Sequence, residues 1–175
     1  AELLFVCLYA GIARAADDPA GVASPPLNKL TLSYYEFSSG KKGADVNLQN
    51  VAKVSPLMAA AYIGDAAIAR TLLDHGADAN MEDQLFKTAM VYAAGQGNTG
   101  VVALLLDAGV DIDKPYNHNL TALMWAAGYG KTETVKALLA RGADPDLKDD
   151  RGKTAGEIAR EAKHNEVAAL LKVME

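Results

Sequence analysis

Ser55-Pro-Leu-Met-Ala-Ala-Ala61, Thr88-Ala-Met-Val-Tyr-Ala-Ala94, Thr121-Ala-Leu-Met-Trp-Ala-Ala127 and Thr154-Ala-Gly-Glu-Ile-Ala-Arg160 are one string written four times. Their first residues stand 33 positions apart, and no insertion breaks the count. Twenty-one residues after each of the first three starts comes Gly76-Ala-Asp78, Gly109-Val-Asp111 or Gly142-Ala-Asp144, and Gly43-Ala-Asp45 extends the row toward the N-terminus. Leu72-Leu73, Leu105-Leu106 and Leu138-Leu139 keep the same register, with Leu171 near its last step. Self-similarity at a fixed period decides architecture before any local element does, because each period is one supersecondary unit.

The chemistry inside one period is that of a helix pair. Ser55 or Thr at each start can N-cap a helix by accepting a hydrogen bond from an orphan amide. Ala60-Ala61, Ala93-Ala94 and Ala126-Ala127 are small enough to let neighbouring helices approach closely. Gly64, Gly97 and Gly130 stand where the first helix must stop on a left-handed residue. A second helix follows, with Ile68, Ala69, Leu72 and Leu73 on one face, and Val101, Val102, Leu105 and Leu106 repeat the pattern. Gly76, Gly109 and Gly142 end it. Such a pair is too short to bury its own apolar face, so stability must come from stacking on its neighbours.

These residues and their spacing resemble the ankyrin-repeat family, whose pattern runs T-P-L-H-x-A-A-x-x-G, V-V-x-x-L-L and G-A-D-x-N on this period. The resemblance spans residues 43 to 173. Some positions depart from it. Only Pro56 keeps the family proline, Met58, Val91, Met124 and Glu157 replace its histidine, and Gly156 replaces a leucine. The resemblance implies an all-α solenoid of stacked helix-turn-helix units joined by short β-hairpins or loops. About four full or near-full repeats are expected, plus a degenerate N-terminal capping repeat. The units are 51–83, 84–116, 117–149 and a C-terminal capping repeat at 150–175. Residues 16–50 form a lead-in and the degenerate cap, in which Leu30, Leu32, Tyr34, Tyr35 and Phe37 supply the apolar side chains. Glu157, Arg160, Glu161, Lys163, His164 and Glu166 intersperse charge in the last unit, as a solvated cap requires.

Residues 1–15 read differently. An apolar run from Leu3 to Ala13 is followed by Ala13-Arg14-Ala15, a small-x-small site, and then by polar Asp17-Asp18. That is the layout of a secretory signal peptide, cleaved after Ala15. The run is shorter than the roughly 20 residues a membrane span needs. Cys7 lies inside it, so no cysteine remains after cleavage and no wrong disulfide can form in an oxidising compartment. A periplasmic or secreted location is expected, without membrane insertion after leader removal. The other reading of residues 1–15 is a buried N-terminal helix or a retained anchor, and if they are not a leader the alternative location is cytoplasmic.

Composition narrows the function. The 175 residues carry 17 Lys and Arg against 22 Asp and Glu, a net charge of -5, which argues against a nucleic-acid binder with its usual basic face. One cysteine excludes an intramolecular disulfide and a cysteine-built zinc site. Acids recur in pairs, as Asp111 with Asp113 and Asp144 with Asp146, while Asp78 pairs with Asn80. Paired carboxylates can serve acid/base or metal chemistry, but a position repeated in every unit fits backbone hydrogen bonding in a turn better. Asp146 to Glu157 has the length of a calcium loop, but Lys148 and Arg151 occupy positions that need an acid and a glycine. His75, His118 and His164 lack partners at metal spacing. No nucleophile-elbow, phosphate-loop or zinc-protease string occurs. No cofactor or metal is expected.

In the family that the repeats resemble, partners are contacted by the hairpin tips before each repeat and by the end of its first helix. Carried onto this chain, the tips supply Gln84, Leu85 and Lys87, then Asn117, His118 and Leu120, with Val51, Ala52 and Val54 one unit earlier. The helix ends supply Tyr62 with Ile63, Gly95 with Gln96, and Gly128 with Tyr129. Phe86 and Asn119 occupy a tip position where the family prefers glycine. The partner-binding set is therefore Tyr62, Ile63, Gln84, Leu85, Phe86, Lys87, Gln96, Asn117, His118 and Tyr129. Tyr92 and Trp125, in equivalent positions, are expected to fill the groove between repeats, and Tyr62 and Tyr129 to face outward. The resulting expectation is a non-enzymatic module, monomeric when free, that binds a protein through its concave face. An inhibitor occluding an exported enzyme is the alternative, and a metal-dependent hydrolase built on the acid pairs comes third.

Overall fold

A computed structural model describes residues 46–172. The expected leader at 1–15, and the expected lead-in and capping repeat up to residue 45, lie outside the described residues, as do residues 173–175. From Ser55 onward the helices come in pairs: α1 (Pro56–Ile63) with α2 (Ala66–Asp74), α3 (Ala89–Gln96) with α4 (Thr99–Asp107), α5 (Ala122–Gly128) with α6 (Thr132–Ala140), and α7 (Ala155–Glu161) with α8 (Asn165–Lys172). A single 3-10 turn, Asn117–Asn119, precedes α5. Among the described residues there is no strand, and the tips between units are turns rather than hairpins with a ladder. None of the helices there is long and apolar enough to cross a membrane.

The N-caps act as the string implies. The hydroxyls of Ser55, Thr88, Thr121 and Thr154 accept from the amides of Met58 (3.3 Å), Val91 (3.5 Å), Met124 (3.3 Å) and Glu157 (3.4 Å). Three of the four residues that stand in for the family histidine return a bond. The Sδ atoms of Met58 and Met124 accept from the N-cap amides at 3.4 and 3.5 Å, and Glu157 Oε2 does so at 2.9 Å. A thioether is a weak acceptor, so the last cap is the strongest of the three. Pro56 takes the first helical position, where its missing N–H costs nothing.

Gly64 ends α1 at φ 86°, and space requires glycine there as well. A β-carbon would stand 2.5 Å from Asn98 Oδ1 of the next unit. Asn98 needs that place, because its Nδ2 donates to the carbonyls of Ala61 (2.8 Å) and Tyr62 (3.0 Å) and so caps a neighbour's helix. In the third unit α5 stops one residue sooner, with Tyr129 as C-cap, and the left-handed turn falls on Gly130 at φ 65°.

Each first helix stacks on the next first helix, and each second helix on the next second helix. Ala61, Ala93, Ala94, Ala126 and Ala127 are wholly buried at the first-helix contacts, so those helices lie close together. The first helices of the first three units run 7 or 8 residues, the second helices 9. A stack whose members lie closer together on one side bends toward that side, which makes the first-helix face the hollow one. Leu57, Met58, Met90, Leu105, Leu123, Met124 and Leu138 form one continuous core through the units.

The acid pairs are spent on turns. Asp78, Asp111 and Asp144 each accept from the amide two residues on, at 2.8, 3.1 and 2.9 Å. Asn47 and Asp113 accept from the amides of Asp78 and Asp144 one unit later, at 2.7 and 3.0 Å. Lys114 reaches Asn80 and Arg141 reaches Asp107, again across units.

Candidate functional site

The tips between units are held by one device used three times. Asn50 Oδ1 accepts from the amides of Ala52 and Val54, both at 2.9 Å. Asp83 Oδ1 accepts from Leu85 (2.7 Å) and Lys87 (2.9 Å), and Asp149 Oδ1 from Arg151 and Lys153, both at 2.9 Å. Each side chain stabilises a tight reversal by replacing backbone acceptors. The fourth member of this register is Tyr116, which has no such oxygen within reach of the turn. Its tip has two left-handed residues in succession, His118 at φ 61° and Asn119 at φ 55°. That tip is tied to the next unit instead: Asp150 N donates to His118 O (3.1 Å), and His118 Nδ1 meets Asp150 Oδ2 at 2.7 Å.

All four tips carry a left-handed residue in the position where the family prefers glycine: Lys53, Phe86, Asn119 and Gly152. Phe86, at φ 58°, is 60% exposed. The position thus keeps its turn geometry while holding an aromatic side chain out to solvent.

Around the Asp83 tip the side chains join into a strip. Asp83 is buried, and its Oδ2 accepts from the Tyr92 hydroxyl. Burial, followed by that bond to Asp83, pushes the Tyr92 phenol well above its ordinary range. Tyr62 meets the Tyr92 ring edge-on, with centroids 5.9 Å apart and planes at 82°, an arrangement that aromatic quadrupoles favour. The Lys87 ammonium sits 5.7 Å from the Tyr92 centroid and 5.3 Å from that of Trp125, within reach of cation–π attraction to both. Burial lowers its pKa, and the charge of Asp83 opposes that shift. Trp125 stacks on Tyr129, with centroids 6.0 Å apart and planes 9° from parallel. Gly95 lies against this pair, where a β-carbon would stand 3.6 Å from the Tyr129 ring, an ordinary van der Waals contact. Burial pushes the Tyr129 phenol up.

The sequence-derived set distributes as follows. Tyr62, Lys87 and Tyr129 are brought together with Tyr92 and Trp125. Leu85 and Phe86 are exposed on the same tip as Lys87, and Ile63 is exposed at the end of α1. Gln84 is committed to the fold, because its Nε2 donates to Val51 O at 2.8 Å and its amide to Ala52 O at 3.2 Å. His118 is engaged by Asp150, Gln96 is half-buried, and Asn117 is exposed on the third tip. Tyr92 fills the groove between units. Trp125, its equivalent one unit on, is only half-buried and forms a floor between Lys87 and Tyr129. Reading single units misses Asp83. Its signal is the 33-step row Asn50, Asp83 and Asp149, visible only when the tips are aligned with one another.

Among the described residues no three His, Cys, Asp or Glu side chains are grouped to hold a metal. The strip offers ring faces, one ammonium and exposed apolar side chains, which is equipment for contact. Two sequence models of protein families match the chain. One, described as ankyrin repeats in three copies, matches residues 33–116, and another, described as ankyrin repeats in many copies, matches residues 105–159. A search of curated proteins finds no match.

Proposed function

The chain belongs to the ankyrin-repeat family, a class of protein–protein interaction modules, and we propose that it works as one, holding a partner protein on its first-helix face without catalysing a reaction. The observation that carries this reading is the strip Tyr62, Tyr92, Lys87, Trp125 and Tyr129, flanked by exposed Ile63, Leu85 and Phe86. Tyr and Trp are enriched among the residues that dominate binding energy, and their ordered rings lose little freedom when covered. Apolar side chains gathered this way on a surface mark contact sites more often than singly scattered ones do.

The immobilised chain is expected to retain a protein in stoichiometric amount from extracts of its native compartment. A variant with Tyr62, Phe86 and Tyr129 all replaced by Ala is expected to lose that partner by tenfold or more in affinity while its circular dichroism is unchanged, since each removes an interface anchor worth roughly 1 kcal/mol or more. Retention undiminished in the folded variant assigns binding to another surface. The compartment we propose is an exported one, on the apolar run Leu3–Ala13 and the small-x-small site after it. N-terminal sequencing of the mature protein tests that, with Ala16 expected as first residue.

A further inference from the structure

The hydrogen bonds between neighbouring units change sides along the stack. Where residues 51–83 meet residues 84–116, the tips and first helices are tied. Gln84 donates from its amide to Ala52 O (3.2 Å) and from Nε2 to Val51 O (2.8 Å). Asn98 Nδ2 donates to Ala61 O (2.8 Å) and Tyr62 O (3.0 Å), while Lys114 Nζ reaches Asn80 Oδ1 (2.8 Å) on the far side. Where residues 117–149 meet the last unit the tips are tied again, through the Asp150 amide on His118 O (3.1 Å) and His118 Nδ1 on Asp150 Oδ2 (2.7 Å). At the boundary between them, residues 116 and 117, the two adjoining tips share no backbone hydrogen bond among the described residues. The second helices and their turns are joined there instead. Thr99 Oγ1 meets Thr134 Oγ1 at 2.8 Å, Arg141 Nη1 donates to Asp107 Oδ1 (2.6 Å), and the Asp144 amide donates to Asp113 Oδ1 (3.0 Å).

The side chains account for the change. Asn117 keeps the register of Gln84 with one methylene fewer, on a tip bent by left-handed His118 and Asn119. Lys131 keeps the register of Asn98 but lays its stem along Gly97, where a β-carbon would stand 3.0 Å from Lys131 Cδ. On the first-helix side this boundary is packed by Ala93, Ala94, Ala126 and Ala127, which bring little apolar area each. The Lys87 ammonium, beside Asp83, also crosses it to lie 5.3 Å from the Trp125 centroid.

We propose that this boundary is a joint, at which residues 46–116 and 117–172 turn as two blocks about the second-helix side, so that the second and third tips part while the other tip pairs stay together. Each boundary in a repeat array has its own interface strength, so motion collects where the restraints on one side are fewest. The buried Thr134 hydroxyl and its partner Thr99 lie on the side about which the blocks turn. Tyr62, Tyr92 and Lys87 belong to one block, and Trp125 and Tyr129 to the other. The joint therefore sets the width of the aromatic strip, and a partner lying across the strip selects one angle from those the free chain visits. The motion itself does not depend on the strip being the binding surface, and its test needs no partner.

Nitroxide labels are placed on cysteines introduced at one register position, in the full chain with Cys7→Ser. The pairs are Lys53→Cys with Phe86→Cys, Phe86→Cys with Asn119→Cys, and Asn119→Cys with Gly152→Cys. All four positions have left-handed backbone, which matches the label's own freedom among the pairs. Dipolar electron paramagnetic resonance then reads the spread of distances in each. The middle pair is expected to spread at least about twice as widely as either neighbour, since it alone spans the joint. Asn117→Gln with Lys131→Asn, which copies Gln84 and Asn98 one unit on, is expected to narrow the middle pair to the width of the others. Should that variant fold poorly, the comparison of the three pairs decides alone. Equal spreads in all three overturn the joint. A wide spread shared with either neighbouring pair overturns it as well, because a loose tip then moves rather than a block. A middle pair still wide in the folded variant overturns the assignment of the motion to the missing tip and helix-end bonds.

Discussion

Phe86 holds a backbone conformation that costs an L residue about 1–2 kcal/mol and costs glycine nothing. Glycine gives back about 0.5–1 kcal/mol through its greater freedom in the unfolded chain. Phe86→Gly is thus expected to raise stability by about 0.5–1 kcal/mol, seen as a higher urea midpoint, while partner affinity falls. The ring is 60% exposed, so little buried contact is lost with it. A lower midpoint would show that the ring contributes to folding. Strain kept at an exposed aromatic agrees with the contact role proposed for Phe86, though Lys53 and Asn119 hold the same left-handed position on their tips. The sequence shows that Phe86 stands in a glycine position. It does not show that the turn keeps its left-handed form, because that depends on Asp83 fastening two amides of the same tip.

At the scale of the element, the last unit differs from the others in what holds it. Burial pushes the Asp149 carboxyl up, but hydrogen bonds from the Lys153 amide and from Arg151 outweigh it and hold the group below the usual carboxylate range. The Thr154 amide does the same for Glu157, against a smaller opposing effect of burial. Both groups bind a proton more weakly folded than unfolded. The stability they contribute is therefore whole above the ordinary carboxylate range and is lost as the pH drops below about 4, through their folded values. Amide protection in α7 and α8, taken relative to the intrinsic exchange rate at each pH, is expected to fall over that interval more steeply than in α3 and α4. An end unit frays first at any pH, so the slope is the measurement that discriminates. Glu157→Gln keeps an acceptor at the cap without a titrating group, and with Asp149→Asn it is expected to flatten the slope. A slope unchanged in the double variant would remove these two carboxyls from the account. In sequence Glu157 reads as a departure from the family histidine. In the structure it is the strongest of the replacement acceptors, because a carboxylate does what the sulfurs of Met58 and Met124 do weakly.

Over the whole molecule, the period made the stack legible, since Ser55, Thr88, Thr121 and Thr154 keep step with the Ala, Gly and Leu positions behind them. The aromatic strip was legible only in parts. Tyr92 and Trp125 share a register position, but Lys87 comes from a tip and Tyr62 and Tyr129 from different places at helix ends, so no repeat alignment brings them together. Only stacking does. The same one-dimensional build decides how damage spreads. Leu105 is fully buried in α4, which lies between α2 and α6, and Leu171 is almost as buried in α8 at the end of the described stack. Each Leu→Ala change removes a comparable side chain, with a local loss of about 2–5 kcal/mol. Their consequences differ, because stability in a repeat array is the sum of unit terms and nearest-neighbour interfaces. Leu105→Ala weakens a unit that couples to both sides, so urea unfolding is expected to broaden or split as α1–α2 and α5–α8 come apart separately. Leu171→Ala is expected to loosen α7 and α8 alone, leaving amide protection in α1–α6 close to that of the unaltered chain. Equal loss of protection throughout both variants would mean that the units melt as one body, with no weaker joint between them.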